Sequence, residues 1–193
     1  MRVLCCHTGR IDISGGFDVN QHGLYPSAAQ ALSLHAPQVE LVDVSGDPYA
    51  YWREITARWH GRSDLIVVEQ DVEITAGVLP QFGACSSPWC TFGYTYWRTW
   101  PPSFDACGCA RYSARLQREF PVEVFEAAWE FSCGECCLPG TVPGTRRPPR
   151  PGCWRHIDAV FLAVFRAAGL KQSCRHEPLL AHRKEAALAS QRA

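Results

Sequence analysis

Leu65-Ile66-Val67-Val68-Glu69-Gln70-Asp71-Val72-Glu73 is the stretch that decides how this chain reads. Its first four residues form an unbroken apolar run and predict a buried strand. The carboxylates follow at once, where an open α/β sheet places its ligands, beyond the carboxyl end of a strand. Alternation puts Glu69 and Asp71 on one side if the strand continues that far. Two carboxylates so placed can hold Mg²⁺ or Mn²⁺, directly or through water, while the ion's open positions take phosphate oxygens. The same residues can equally cap the strand and face solvent.

Working upstream, the strand is the third of an alternating series. Val3-Leu4-Cys5-Cys6 reads as a strand ending at Thr8-Gly9, and Ala28 to Leu34 repeats small and apolar residues at helical spacing. Val39 to Val44 is a second strand. Pro48 to Trp59 is a second helix, with Trp52, Ile55 and Trp59 on one face. Strands and helices alternating at these lengths imply parallel strands joined by right-handed crossovers. The expected fold class is therefore α/β, a Rossmann-like, mostly parallel sheet covered by helices on both faces.

Downstream the pattern loosens. Cys85 to Pro102 is dense in Trp, Tyr, Cys and Pro, Arg111 to Phe120 looks helical, and Trp154 to Ala168 returns to helical periodicity. Between them, Cys133 to Gly152 is rich in Pro, Gly, Cys and Arg and reads as a loop insertion.

Length and composition bound the class. A chain of 193 residues predicts one domain over 1–193 and excludes a disulfide-only miniprotein. Hydrophobic residues at 47% and charged residues at 20% exclude disordered and collagen-like chains. No apolar run is long enough to span a bilayer, and the N-terminus meets His7 too soon for a signal-peptide core, so a cytoplasmic protein is expected. Eleven cysteines is an odd count; in that compartment it points to core thiols or metal ligands. The net charge of zero conceals an asymmetry. Residues 1–140 hold 9 Lys or Arg against 16 Asp or Glu, and residues 141–193 hold 10 against 3. An acidic body with a basic end suits a protein that holds a cation in one place and phosphate in another, or two surfaces that attract each other.

The chain resembles a known family in Tyr49-Ala50-Tyr51-Trp52-Arg53, Asp64 to Glu73, Cys85-Ser86-Ser87-Pro88-Trp89-Cys90 with Tyr94, Gly108 to Leu116, Trp154 to Asp158, and His176-Glu177-Pro178 with His182. These segments look like small GT-A-type glycosyltransferase-like proteins of actinobacterial phages and bacteria, over roughly residues 1–185 and excluding the insertion. The resemblance implies a GT-A-like fold and a nucleotide-sugar donor, a UDP-sugar first. It implies that Asp71 is the acidic-motif carboxylate that meets the metal and the diphosphate, with Glu69 in the preceding position. Glu at that first position departs from the Asp-x-Asp form. Members often complete the site with a C-terminal histidine, here His182 ahead of His176, and an oxygen-rich set with one imidazole suits Mn²⁺ or Mg²⁺. An inverting reaction needs a carboxylate to take the acceptor's proton; Asp158 is the first candidate and Glu73 the second. Strand position alone places Thr8, Gly9 and Asp43 beside the base and ribose. Trp89, Tyr94, Tyr96 and Trp97 could wall a sugar, or pack in the core.

Two further features stand apart from the acidic motif. Cys107, Cys109, Cys133, Cys136, Cys137 and Cys153 supply enough thiolates for a structural Zn²⁺. Arg146, Arg147, Arg150 and Arg155 could track a phosphate backbone, making a 5-hydroxymethylpyrimidine of phage DNA a candidate acceptor, in the host cytoplasm. A protein or glycan acceptor is the rival, and a non-catalytic zinc-stabilised nucleic-acid-binding module is the rival of a different class.

Overall fold

The computed structural model describes residues 1–7, 24, 26–45, 47, 49–94, 107–132, 157–170 and 175–182. The elements run β1 (Arg2–His7), α1 (Pro26–His35), β2 (Glu40–Asp43), α2 (Ala50–Arg58), β3 (Leu65–Val68), β4 (Val72–Glu73), α3 (Val78–Ala84), β5 (Trp89–Tyr94), β6 (Cys109–Tyr112), α4 (Ala114–Glu119), α5 (Val122–Ser132), α6 (Ile157–Ala167) and β7 (Arg175–His182). The α/β class expected from the alternating pattern is present. Arg111 and Tyr112, expected to begin a helix, close strand β6 instead. The helix starts at Ala114, because Ser113 adopts an extended backbone and its Oγ accepts the Leu116 N–H at 3.1 Å.

Among the described residues seven strands form one sheet, in the order β2-β1-β3-β6-β5-β7-β4. The expectation of a mostly parallel sheet is corrected here, for the sheet is mixed. β1 pairs in parallel with β2 and β3, and β5 with β7, whereas β6 runs antiparallel to both β3 and β5 and β4 antiparallel to β7. Helix-linked crossovers, which enforce parallel pairing, end at β3. After it, β6 enters between β3 and β5 running the other way.

Side chains of successive strand residues divide between two apolar clusters, as a period of two requires. Leu4 and Cys6, Leu65 and Val67, and Ala110 and Tyr112 pack with residues of α2, α4, α5 and α6. Val3 and Cys5, Ile66 and Val68, and Cys109 pack with residues of α1 and α3. The first cluster is aromatic: Trp59 meets Phe125 at 5.3 Å and Phe161 at 5.4 Å, both edge-on, and Trp52 meets Trp129 at 4.7 Å. Among the described residues, no helix is long and apolar enough to cross a membrane.

The sheet is curled, and the acidic stretch shows why it must be. β3 and β4 stand four strand positions apart, ~19 Å in a flat sheet at the usual inter-strand spacing. Val68 and Val72 are four residues apart, and an extended chain of that length reaches only about 14 Å. The far edge therefore bends back toward the end of β3. β7 takes up part of this, since Phe92 is opposite His176 while Tyr94 is opposite Leu180, so β7 carries two extra residues there, beside the cis Glu177–Pro178 bond.

Candidate metal centre

β3 ends where the chain turns after Glu69, whose amide still follows the β3–β6 register. The Glu69 N–H donates to the Gly108 carbonyl at 2.8 Å, and its own carbonyl accepts the Val72 N–H at 3.2 Å, which makes Glu69 to Val72 a reverse turn. Aspartate suits an interior position of such a turn. The turn delivers the chain to β4, whose register sets Val72 opposite His182 and Glu73 opposite Ala181. His182 is thereby brought beside Asp71, more than a hundred residues away in sequence.

The result is a cluster of two carboxylates and one imidazole. Nε2 of His182 lies 3.5 Å from Oδ1 of Asp71 and 3.9 Å from Oε2 of Glu69, and one ligand atom from each residue lies within 4.8 Å of the others. Asp71 is 1% exposed and His182 4%, while the Glu69 side chain keeps 20% of its surface and marks the open side. The His182 ring is stacked on Tyr94, centroids 4.7 Å apart and planes within 16°. Tyr94 in turn lies hard against Gly108, where an added Cβ would overlap its ring. Burial first, then Cys6 and the carboxylates of Asp71 and Glu69, push the thiol of Cys5 in β1 up.

A cation between these groups needs cis donor atoms about 3 Å apart for metal–oxygen distances near 2.1 Å. The observed separations need only small side-chain movements to reach that, so the three residues fit a divalent metal ion, with the outward side of Glu69 left for a ligand.

His176, the second histidine expected at this centre, stands elsewhere. It is six residues back along β7, stacks on Phe92 at 5.0 Å and gathers with Cys85 and Cys90. Glu73 alternates away from Val72, and Val72 and His182 share a face, so Glu73 faces away from the imidazole. Asp158 sits in the first turn of α6, where its Oδ1 accepts the Cys107 N–H at 2.7 Å. Burial, then the charges of Asp158 and Glu69, push the Cys107 thiol up. Asp158 thus braces the Cys107–Gly108 turn whose next carbonyl holds Glu69.

Asp43 ends β2 at the same end of the sheet as the centre. It is exposed, and its Oδ1 accepts the Ser45 N–H at 2.8 Å; hydrogen bonds from Ser45 hold its carboxyl below the usual range. Trp89 is a core residue packed on Phe165, and Tyr94 is the stacking partner of His182, so neither walls a sugar. Cys107 and Cys109 pack into different clusters, because the turn before β6 sends one thiol to each, and they do not share a zinc. Thr8, Gly9, Tyr96, Trp97, Cys133, Cys136, Cys137, Cys153, Arg146, Arg147, Arg150 and Arg155 lie outside the described residues.

Comparison with protein-family models, with curated proteins and with solved structures returned no match.

Local alternation hints that the two histidines differ but does not show which cluster each one joins, which the strand register decides. His182 lies one strand period beyond Leu180, in an alternating stretch that ends level with the acidic turn, whereas His176 stands two residues before a proline. Cys85 and Cys90, with the wide x₄ spacing, gave too weak a pattern to be paired with it.

Proposed function

We propose that the protein is a metal-dependent glycosyltransferase of the GT-A type, moving a sugar from a nucleotide-sugar donor, a UDP-sugar first, to an acceptor hydroxyl. The observation that carries this reading is the convergence of Glu69, Asp71 and His182 at the carboxyl end of β3. The division of strand side chains between two helix-bearing clusters supports the finer architecture, a GT-A-like sheet with helices on both faces. Two carboxylates and one imidazole favour Mn²⁺ or Mg²⁺, and such an ion, when bound, neutralises charge developing on the leaving diphosphate.

Asp71 and His182 form the buried floor that holds the cation, and Glu69 at the open side orients what binds there. Tyr94 fixes the His182 ring so that Nε2 keeps its aim at the carboxylates. Asp158 is assigned as a positioning residue: its Oδ1 accepts the Cys107 N–H at 2.7 Å and so braces the turn whose Gly108 carbonyl holds Glu69. The proposed acceptor is a 5-hydroxymethylpyrimidine in DNA, resting on the arginines of the insertion and the basic C-terminal quarter.

The test is incubation with a panel of nucleotide sugars and Mn²⁺, with and without hydroxymethylated DNA, with mass analysis of the products. Sugar is expected on the DNA, and Asp71→Ala and Asp71→Asn are expected to abolish metal-promoted binding of the nucleoside diphosphate. Metal-promoted binding that persists in both variants overturns the site. Transfer to a protein or glycan alone overturns only the acceptor. No turnover of any donor, together with DNA binding, favours the zinc-stabilised nucleic-acid-binding module.

A further inference from the structure

A second constellation lies on the other arm of β7. Cys85 at the carboxyl end of α3, Cys90 in β5 and His176 in β7 place one ligand atom each within 4.8 Å of one another. Neither thiol is in a disulfide. Three separate elements meet here, and the register that sets Phe92 opposite His176 is what brings the imidazole to Cys90.

The surroundings orient these groups. Arg111 of β6 is buried; its Nη1 donates to the Cys85 carbonyl at 3.0 Å, to the Ser87 carbonyl at 3.0 Å and toward Cys90 Sγ at 3.7 Å. Its Nε donates to Asp64 Oδ2 at 2.8 Å, so its charge is balanced. Phe92 stacks on the His176 ring and Phe82 meets it edge-on at 5.4 Å, which holds the imidazole in place and excludes water on those sides. Hydrogen bonding around the ligands of this kind is what metal sites use to fix thiolates and imidazoles.

We propose that Cys85, Cys90 and His176 bind a structural Zn²⁺ that ties α3, β5 and β7 together. Two sulfurs and a nitrogen are soft donors that select zinc over the hard cations suited to Glu69 and Asp71. Tetrahedral zinc with Zn–S near 2.3 Å and Zn–N near 2.0 Å needs donors about 3.5–3.8 Å apart, a closure of roughly an ångström from the limit seen here. Binding releases two thiol protons and forms a neutral core of one dication and two thiolates; burial has pushed the Cys90 thiol up to about 12, and coordination deprotonates such a thiol outright. The fourth position is left to water. This site does not depend on the glycosyltransferase reading, and its residues are separate from the acidic centre.

The experiment is elemental analysis and Co²⁺ substitution on the full chain purified under reducing conditions. The wild type and Asp71→Ala are expected to bind about one more zinc per chain than Cys85→Ser/Cys90→Ser. His176→Ala is expected to lose the same ion, along with the thiolate-to-cobalt charge-transfer band. Because the double variant alters a fully buried side chain, Cys90, the wild type is also alkylated with and without zinc and its cysteines mapped by mass spectrometry. Zinc is expected to protect Cys85 and Cys90, and chelation to end the protection. Zinc content unchanged in His176→Ala and in the double variant, alkylation of both cysteines unaffected by zinc, or a Cys85–Cys90 disulfide in never-reduced protein would each overturn the proposal.

Discussion

Gly108 contributes to the acidic centre without touching a ligand. Its carbonyl holds the Glu69 N–H, and the space a side chain would need is filled by the Tyr94 ring, which is fully buried and carries His182 on its other contact. Gly108→Ala must therefore displace either the turn or the ring. The expected cost is about 1–3 kcal/mol of stability, as for overpacking elsewhere, together with weaker metal-promoted nucleotide binding. Urea unfolding and metal titration check both, and wild-type values for both would show that the Gly108–Tyr94–His182 chain does not set the site. Nothing in the sequence flags Gly108 for this role, because the crowding comes from a residue fourteen positions away on the neighbouring strand.

The element whose start is best defined chemically is α4. Two of the amide groups that a helix start leaves unsatisfied are met here: Ser113 Oγ accepts from Leu116, and Asp64 Oδ1 accepts the Ala114 N–H at 2.8 Å. Ser113→Ala should cost about 1 kcal/mol and Ser113→Gly only a few tenths. Equal losses in chemical denaturation would mean that Ser113 matters by its burial and not by its cap. At this scale the sequence was readable where a pattern is local. α1, β2, α2, β3 and α6 fall close to the stretches whose periodicity marks them. β4, β5, β6 and β7 do not, since β4 is two residues long and the others sit among Trp, Cys and Pro that obscure alternation.

Across the molecule, Asp64 joins parts that no single element contains. It meets Arg111 from β6 and Ala114 from α4, and its carbonyl accepts the Arg2 N–H of β1 at 2.8 Å. Burial opposes its ionisation, but the hydrogen bonds from Ala114 and Arg111 and the Arg111 charge outweigh it, holding the carboxyl below its usual value. A depressed carboxyl contributes stability that is fully present above its unfolded pKa, about 3.9, and is lost as pH falls through the lower folded value. The stability difference between wild type and Asp64→Asn should be constant near neutrality and shrink below about pH 4. Denaturation across that range tests this; a gap that stays constant into acid would assign the effect to packing alone. Because Arg111 also holds the Cys85–Ser87 segment, the same variant is expected to weaken zinc binding at the thiol site.

By itself the sequence determined the α/β class, the β3 strand and the acidic pair beyond its end. Each follows from apolar period and residue chemistry within a few neighbours. The tertiary structure decided the rest. A mixed, curled sheet could not be read from β–α alternation that stops at β3, and it is the curl that carries β7 back to the acidic turn. Which histidine serves which cluster was a matter of strand register: one set of pairings sends His182 to Glu69 and Asp71, another sends His176 to Cys85 and Cys90. Registers of that kind are set by long-range backbone hydrogen bonds and shared core packing, which leave no local pattern in the residues they bring together.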